Sequence, residues 1–167
     1  FSIVCLPHLC DQWAEEINQK FGFEPIIIRS SSAAQLDRKR PANIPLLEYY
    51  PITIVSIDFI KGAKRAPQFI ETCPELVIVD EIHTCTQGKG KGRQQRHELI
   101  KKLSEKPKQH LVLLSATPHS GKPEQFQSIL GFLKPEFAKL DLAEAKKKDR
   151  EQVAMHYVQR RRADIEK

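Results

Sequence analysis

Five short apolar runs rich in β-branched residues constrain the fold of this 167-residue chain more than any other feature. Each run is continuous rather than alternating, which is typical of strands that are buried on both faces in a parallel sheet. Segments of helical character separate the runs, and this alternation predicts a doubly wound α/β fold: three layers, with helices on both faces of a mainly parallel sheet. The runs cover residues 1–6, 25–30, 52–57, 75–80 and 110–115.

The segments between the runs carry apolar residues at helical spacing. The first has an apolar residue every four positions and ends at Gly22, a typical helix stop. Trp13 lies in this stripe, so we expect it in the core, with stacking on a base as the alternative. The segment around Pro67 predicts two short helical pieces, and residues 33–40 form either a surface loop or a short helix. The stripe consists of Leu9, Trp13, Ile17 and Phe21.

Charge, hydropathy and cysteine content indicate which partners and which cellular compartment to expect. The formal net charge of +6 favours anionic partners such as nucleic acid or nucleotides. No apolar run approaches the roughly 20 residues of a membrane span, so we expect a soluble, cytoplasmic protein without a membrane partner. The four cysteines form no C-x-x-C pair, which predicts reduced thiols. A zinc site using His83 and Cys85 is the less favoured alternative, given the ligand spacings of zinc sites.

Two adjacent acids end the fourth apolar run. Ligands of parallel α/β sheets bind at the carboxyl edge, where Asp80 and Glu81 emerge together. Their mutual repulsion is unfavourable unless a cation offsets it, and Mg²⁺ with a nucleotide is the obvious candidate. One carboxylate would hold the metal while its neighbour polarises a water molecule. In the alternative, Asp80 caps the following helix and Glu81 is solvated in its first turn.

The fifth run ends in small hydroxyl residues. Ser115 and Thr117 flank Ala116 at a second strand end, and their hydroxyls could hydrogen-bond both to the carboxylates and to neighbouring loops. The combination of Asp-Glu-x-His with Ser-Ala-Thr-Pro, both at strand ends, is more specific than either string alone.

These motifs resemble the first RecA-like domain of superfamily 2 helicases and translocases, in the SWI/SNF-like group. Residues 80–83, Asp-Glu-Ile-His, are similar to the DEAH-type motif II, and residues 115–117, Ser-Ala-Thr, to motif III. The Ser-Ala-Thr form suggests a bacterial branch. The resemblance extends over motif Ia at residues 3–17, the position of motif Ib at residues 52–62, and residues 124–137 and 158–165.

The resemblance implies a function and a set of site residues. It implies ATP and Mg²⁺ as cofactors, with Asp80 coordinating Mg²⁺ and Glu81 activating the hydrolytic water. His83 would couple the nucleotide site to the motif III loop, formed by Ser115, Ala116 and Thr117. The motif Ia and Ib residues would lie against a nucleic-acid backbone, expected to be double-stranded DNA, without reading its sequence. These residues are Pro7, His8, Ser56 and Ile57.

The resemblance also implies a domain organisation. Residues 1–140 would form part of a RecA-like ATP-binding domain, and residues 141–167 a charged helical extension toward a second RecA-like domain of the same chain. The chain begins without methionine and lacks the phosphate-binding loop G-x-x-x-x-G-K-[ST], so we expect a fragment of an ATP-driven DNA translocase that is inactive alone. The alternatives are a non-catalytic interaction module on the same scaffold and an RNA helicase of the same superfamily.

A glycine and lysine tract follows the two acids. Residues 88–93 alternate glycine with basic residues, a composition that is flexible without a ligand. The longer basic stretch over residues 88–108, which begins with this tract, could track phosphates or be a disordered insertion. The glycine and lysine tract does not follow a strand, so we do not expect it to be the missing phosphate cradle.

Overall fold

The five predicted strands form one parallel sheet. The structure is a computed structural model that describes residues 1–117, 123–141 and 144–159. The strand order is β2-β3-β1-β4-β5, and β1 is central because it pairs with both β3 and β4. This confirms the predicted α/β class with a RecA-like parallel sheet. The strands are β1 (Ser2–Cys5), β2 (Ile26–Ile28), β3 (Thr53–Ser56), β4 (Leu76–Val79) and β5 (His110–Leu113).

Helices connect the strands within the described residues. The helices are α1 (Cys10–Phe21), α2 (Ala33–Lys39), α3 (Leu46–Tyr49), α4 (Ile57–Ile60), α5 (Ala66–Thr72), α6 (Lys91–Ser104), α7 (Pro123–Leu133) and α8 (Lys147–Ala154). Short 3-10 turns cover Pro7–Leu9, Ile82–Cys85 and Pro135–Lys139. None of the helices in these ranges is long and apolar enough to cross a membrane.

The sheet is covered by helices on both faces, as predicted. Alternate residues of a strand point to opposite faces, so Val4 belongs to one apolar cluster while Ile3 and Cys5 belong to another. Helix α1 packs on the second face through Cys10 and Ile17. The larger first cluster receives side chains from α2 to α7.

Several helix predictions are confirmed in detail. Helix α1 ends at Gly22, whose φ of 68° is left-handed and whose N–H donates to the Asn18 carbonyl at 2.8 Å. Residues 33–40 take the helical alternative, as α2. The two short helices are present as α4 and α5, but the break lies between them at residues 61–65, and Pro67 is in the first turn of α5. Phe21 belongs to the predicted apolar stripe but is not buried. It is the last residue of α1 and is 64% exposed.

The glycine and lysine tract is more ordered than its composition predicts. Helix α6 already begins at Lys91, with Gly90 at its N-cap in a φ of 101°, so the second half of the tract is the first turn of a helix. The prediction of a loop over the whole tract is therefore wrong.

The described part of the C-terminal segment packs against α7. Val153 of α8 is buried in a cluster with Phe126 and Leu130 of α7 and with Phe137. The boundary between residues 140 and 141 stays a prediction. The arginines at 160–162 lie outside the described residues.

Candidate functional site

The chain turns sharply after β4 while staying bonded to its neighbours in the sheet. The Asp80 N–H donates to the Val4 carbonyl at 2.9 Å, and the Ile82 N–H donates to the Leu114 carbonyl at 2.9 Å. Between them, Glu81 has a φ of 50° and a ψ of 47°, the left-handed region that non-glycine residues rarely adopt. Such conformations persist only where the surrounding structure enforces them, and they cluster at functional sites.

The 3-10 turn after Glu81 is held by two buried side chains. Ile82 and Cys85 are almost fully buried, so the turn is anchored in the core and its polar residues face outward from it. Burial raises the pKa of the Cys85 thiol to about 11 despite a hydrogen bond with Thr84, so Cys85 stays a neutral thiol.

Both carboxylate oxygens of Asp80 receive N–H donors. The Trp13 indole N–H donates to Oδ2 at 2.8 Å, and the Glu81 backbone N–H donates to Oδ1 at 2.8 Å. The turn that follows has no side-chain cap hydrogen bond. The alternative in which Asp80 only caps the next helix is therefore not what the structure shows.

Glu81, His83 and Ser115 converge. The Nδ1 atom of His83 lies 3.0 Å from Ser115 Oγ and 3.0 Å from Glu81 Oε2. Only the contact with Ser115 has hydrogen-bond alignment, because one ring nitrogen cannot align with both oxygens. Glu81 Oε2 is thus buried without a hydrogen-bond partner in the described part of the chain. The Glu81 side chain is 31% exposed and precedes the turn as its N-cap residue, so it is only partly the solvated acid of the alternative.

Of the three motif III residues, Ser115 contacts the His83 ring, and its two neighbours are exposed. Ser115 Oγ also accepts the Thr117 backbone N–H at 3.2 Å. Ala116 and Thr117 are exposed. The structure therefore brings His83 to Ser115 directly and to Thr117 through the serine hydroxyl, whereas Ala116 adds no described contact.

Arg93 ties the glycine and lysine tract to this turn. Its guanidinium donates to the His83 carbonyl at 3.1 Å, to the Thr86 carbonyl at 3.0 Å, and to the hydroxyl of Thr86 at 2.6 Å. Gly88 makes room for it, because a Cβ there would lie 2.7 Å from Arg93 Cδ. The start of α6 and the residues after Glu81 are therefore one connected unit.

A third acid, Asp58, follows β3 at the same edge of the sheet. Lys61 donates to Asp58 Oδ1 at 2.8 Å, and Arg96 donates to the same atom at 2.6 and 3.0 Å. Burial alone would raise the pKa of Asp58, but the hydrogen bonds from Lys61 and Arg96 outweigh it and lower that pKa.

Of the four residues expected at a nucleic-acid backbone, two are exposed and two are buried. Pro7 and His8 are exposed in the turn after β1. Ser56 and Ile57 are only 3% and 2% exposed. Their side chains pack inside the domain at the junction of β3 and α4, and the placement of this segment against a nucleic-acid backbone stays a prediction.

The positions of the cysteines and acids show which metal ions could find ligands among the described residues. All four cysteines are free thiols, as predicted. Within the described ranges, no three His, Cys, Asp or Glu side chains converge on one metal position, so the zinc alternative has no ligand set. The Asp80 carboxylate, which is oriented by two N–H donors, lines an open groove and lies next to Glu81, does fit Mg²⁺, which uses one or two carboxylates plus phosphate and water oxygens.

The sheet, the paired acids and the serine contact define an α/β domain of the helicase and translocase type. The model of the SNF2-related domain family matches residues 1–150, and the chain belongs to that family. An "Uncharacterized ATP-dependent helicase YqhH" from Bacillus subtilis (strain 168) is 29% identical over 130 residues, which are 76% of this chain. The match covers 19% of that protein, so the chain spans about a fifth of its relative.

Sequence reasoning missed two contacts at the site. Trp13 was expected in the core, and it does pack half-buried against the cluster of α1, but it also bonds Asp80. The signal was available, because a buried indole N–H usually has an acceptor. Arg93 carried no such signal, since its carbonyl partners are backbone atoms whose positions depend on the fold.

Proposed function

We propose that the full-length protein carrying this sequence is an ATP hydrolase that drives movement along duplex DNA. In this proposal residues 1–140 supply part of the nucleotide site, and a second RecA-like domain of the same chain completes it. Family membership and the ATP-dependent relative support an ATP-driven motor. The four free cysteines support a reducing, cytoplasmic location.

The paired acids have distinct roles in this proposal. Asp80 would hold Mg²⁺ with ATP, and the ion, when bound, offsets the negative charge of the phosphate oxygens. Glu81 would orient the hydrolytic water and accept its proton. His83 would couple Glu81 to Ser115, because its Nδ1 atom lies 3.0 Å from a side-chain oxygen of each residue.

The observation that carries this proposal is the state of the Glu81 carboxylate. Its Oε2 atom is buried 3.0 Å from His83 Nδ1 without an aligned hydrogen bond, and in the described part of the chain neither Asp80 nor Glu81 has a lysine or arginine partner. Burying a carboxylate oxygen that accepts no hydrogen bond is unfavourable, so a purely structural role does not explain it.

The nucleic-acid side of the proposal rests on exposure and charge. Pro7 and His8 are exposed at the carboxyl end of β1, beside β4 in the sheet, and the chain carries a net charge of +6. Contacts from this turn to phosphates would position a strand without reading its bases.

The test is ATP hydrolysis by the full-length protein with duplex DNA, RNA or neither. We expect duplex DNA to stimulate hydrolysis, and Glu81→Gln to lower the stimulated rate by roughly a hundredfold or more. Glu75→Gln is the matched control, because Glu75 precedes the same strand at its opposite end.

Each outcome of this test distinguishes between candidate functions of the protein or tests the role of Glu81. Equal rates for the wild type and Glu81→Gln would overturn the role of Glu81. Stimulation by RNA and not by duplex DNA would favour the RNA helicase. Nucleic-acid binding without any hydrolysis would favour a non-catalytic interaction module.

A further inference from the structure

The contact between Trp13 and Asp80 joins two distant parts of the chain. The indole N–H reaches Asp80 Oδ2 at 2.8 Å across 67 residues of sequence, and this is the only tryptophan in the chain. Because Glu81 donates its backbone N–H to Oδ1, each oxygen of the carboxylate has its own donor. Two donors on two oxygens fix the plane of a carboxylate, whereas one donor would leave it free to rotate.

The packing of α1 explains why the indole arrives there. Strand β1 pairs with β4, so Val4 lies beside Val79, and α1 covers this part of the sheet. Trp13 sits one turn after Cys10, which is fully buried, and one turn before Ile17, which is 7% exposed. The two anchors hold the helix on the sheet, and the indole therefore has a defined direction toward the end of β4.

The indole is also part of the immediate surroundings of the carboxylate. Trp13 and Asp80 both line a groove of about 410 Å³, whose remaining wall is formed by α1 and Leu9 just before it. Asp80 is thus accessible from this groove, and the aromatic ring lies beside the accessible side. A change at Trp13 alters both the hydrogen bond and the space next to the carboxylate.

We propose that Trp13 is a positioning residue for Asp80, holding its carboxylate in the orientation that binds Mg²⁺ with a nucleotide. This inference rests on the proposed function, since it requires that Asp80 take part in metal binding. Hydrogen-bond donors to metal-ligating groups orient those ligands, and their loss typically weakens metal affinity by roughly 10- to 100-fold.

The test measures metal-dependent nucleotide binding rather than hydrolysis. The full-length protein is titrated with Mg²⁺ in the presence of a fluorescent ADP analogue, and nucleotide binding is measured separately in EDTA. We expect Trp13→Phe to raise the half-saturating Mg²⁺ concentration roughly tenfold or more and to leave binding in EDTA unchanged. A merely structural role would weaken nucleotide binding equally with and without Mg²⁺.

Two further variants make the result specific. Replacing Trp13 with benzothienylalanine, which exchanges only the indole N–H for sulfur, should reproduce the effect of Trp13→Phe while keeping the ring volume. Phe21→Leu is the matched control, because Phe21 lines the same groove and makes no described contact with Asp80.

Asp80→Asn separates failure of this inference from failure of the proposed function. If Asp80→Asn weakens Mg²⁺-dependent binding but both Trp13 replacements match the wild type, Trp13 does not position Asp80 and the inference is overturned. If Asp80→Asn also matches the wild type, the metal role of Asp80 is overturned together with the inference.

Discussion

Two strand ends at the same edge of the sheet carry acids in different states. After β3, Asp58 accepts hydrogen bonds from Lys61 and Arg96, and its pKa is lowered accordingly. After β4, Asp80 accepts only neutral N–H donors, and Glu81 has a buried oxygen that lies 3.0 Å from His83 but accepts no hydrogen bond in the described residues. Both acids follow similar apolar runs, so the runs themselves do not distinguish them.

The two strand ends differ in whether lysine and arginine side chains of the described residues neutralise the acids. A carboxylate that already has two cationic partners is satisfied by the protein and contributes to stability. A pair of carboxylates without a lysine or arginine partner in the described residues is not neutralised in the same way, and the left-handed φ of Glu81 adds backbone strain at the same place. Stability and activity should therefore respond in opposite ways to changes at the two strand ends.

Substitution of Glu81 should affect activity alone, whereas substitution of Asp58 should affect stability alone. Glu81→Gln should lower hydrolysis by the full-length protein roughly a hundredfold or more, with no loss of unfolding free energy. Asp58→Asn should keep hydrolysis within about twofold and lower the unfolding free energy. ATPase rates and urea unfolding of both variants test this. Stability loss in Glu81→Gln comparable to that in Asp58→Asn would contradict the comparison.

The Asp58 network should give a defined pH dependence. The folded-state pKa of Asp58 lies below its ordinary value of 3.8, so its stabilisation is fully present above that value and is lost as pH falls through the lower folded pKa. The side chain is 35% exposed, so solvent screening limits the contribution to about 1 kcal/mol.

Urea unfolding of the wild type and Asp58→Asn from pH 7 to pH 2 measures this contribution. The difference in unfolding free energy should stay constant down to about pH 5 and then shrink. A difference that grows at acid pH would mean that Lys61 and Arg96 do not stabilise the ionised form.

Backbone strain at Glu81 should be measurable as a gain in stability. Glycine adopts a φ of 50° without a Cβ penalty, so Glu81→Gly should raise the unfolding free energy by about 1 kcal/mol while abolishing hydrolysis. Glu75→Gly is the matched control, because Glu75 has no positive φ and should only lose stability. If both substitutions destabilise equally, the left-handed conformation carries no strain.

Much of the fold was predictable, because buried strands and amphipathic helices leave periodic signals. The runs at residues 75–80 and 110–115 end at Asp80 and Ser115. Because the two strands are parallel neighbours, the sequence predicts that these residues lie at the same edge of the sheet. The start of α6 was not predictable, because glycine composition suggested a loop while tertiary contacts of Arg93 hold a helical turn there.

The site was predictable in its residue types but not in its contacts. Asp80, Glu81, His83 and Ser115 do converge, since the motifs place them at adjacent strand ends. The burial of Ser56 was not predictable, because α4 starts directly after β3 and covers the side chain. The orientation of Asp80 by Trp13 depends on the packing of α1, which no local pattern encodes.

Disturbing the link between the glycine and lysine tract and the β4 end should cost only a little stability. Gly88→Ala would place a Cβ 2.7 Å from Arg93 Cδ. The arginine side chain is held by three hydrogen bonds to His83 and Thr86, so it cannot move aside without weakening them. We expect a loss of up to about 1 kcal/mol in unfolding free energy.

Gly62→Ala is the matched control for that substitution, because nothing lies within 4 Å of a Cβ at Gly62 and neither glycine has a positive φ. Urea midpoints of the two variants give the comparison. Since the Arg93 bonds end on the residues that follow Glu81, Gly88→Ala should also change hydrolysis modestly, whereas Gly62→Ala should not. Equal midpoints and rates would show that the tract is not constrained by Arg93, and that the β4 end is held by the sheet alone.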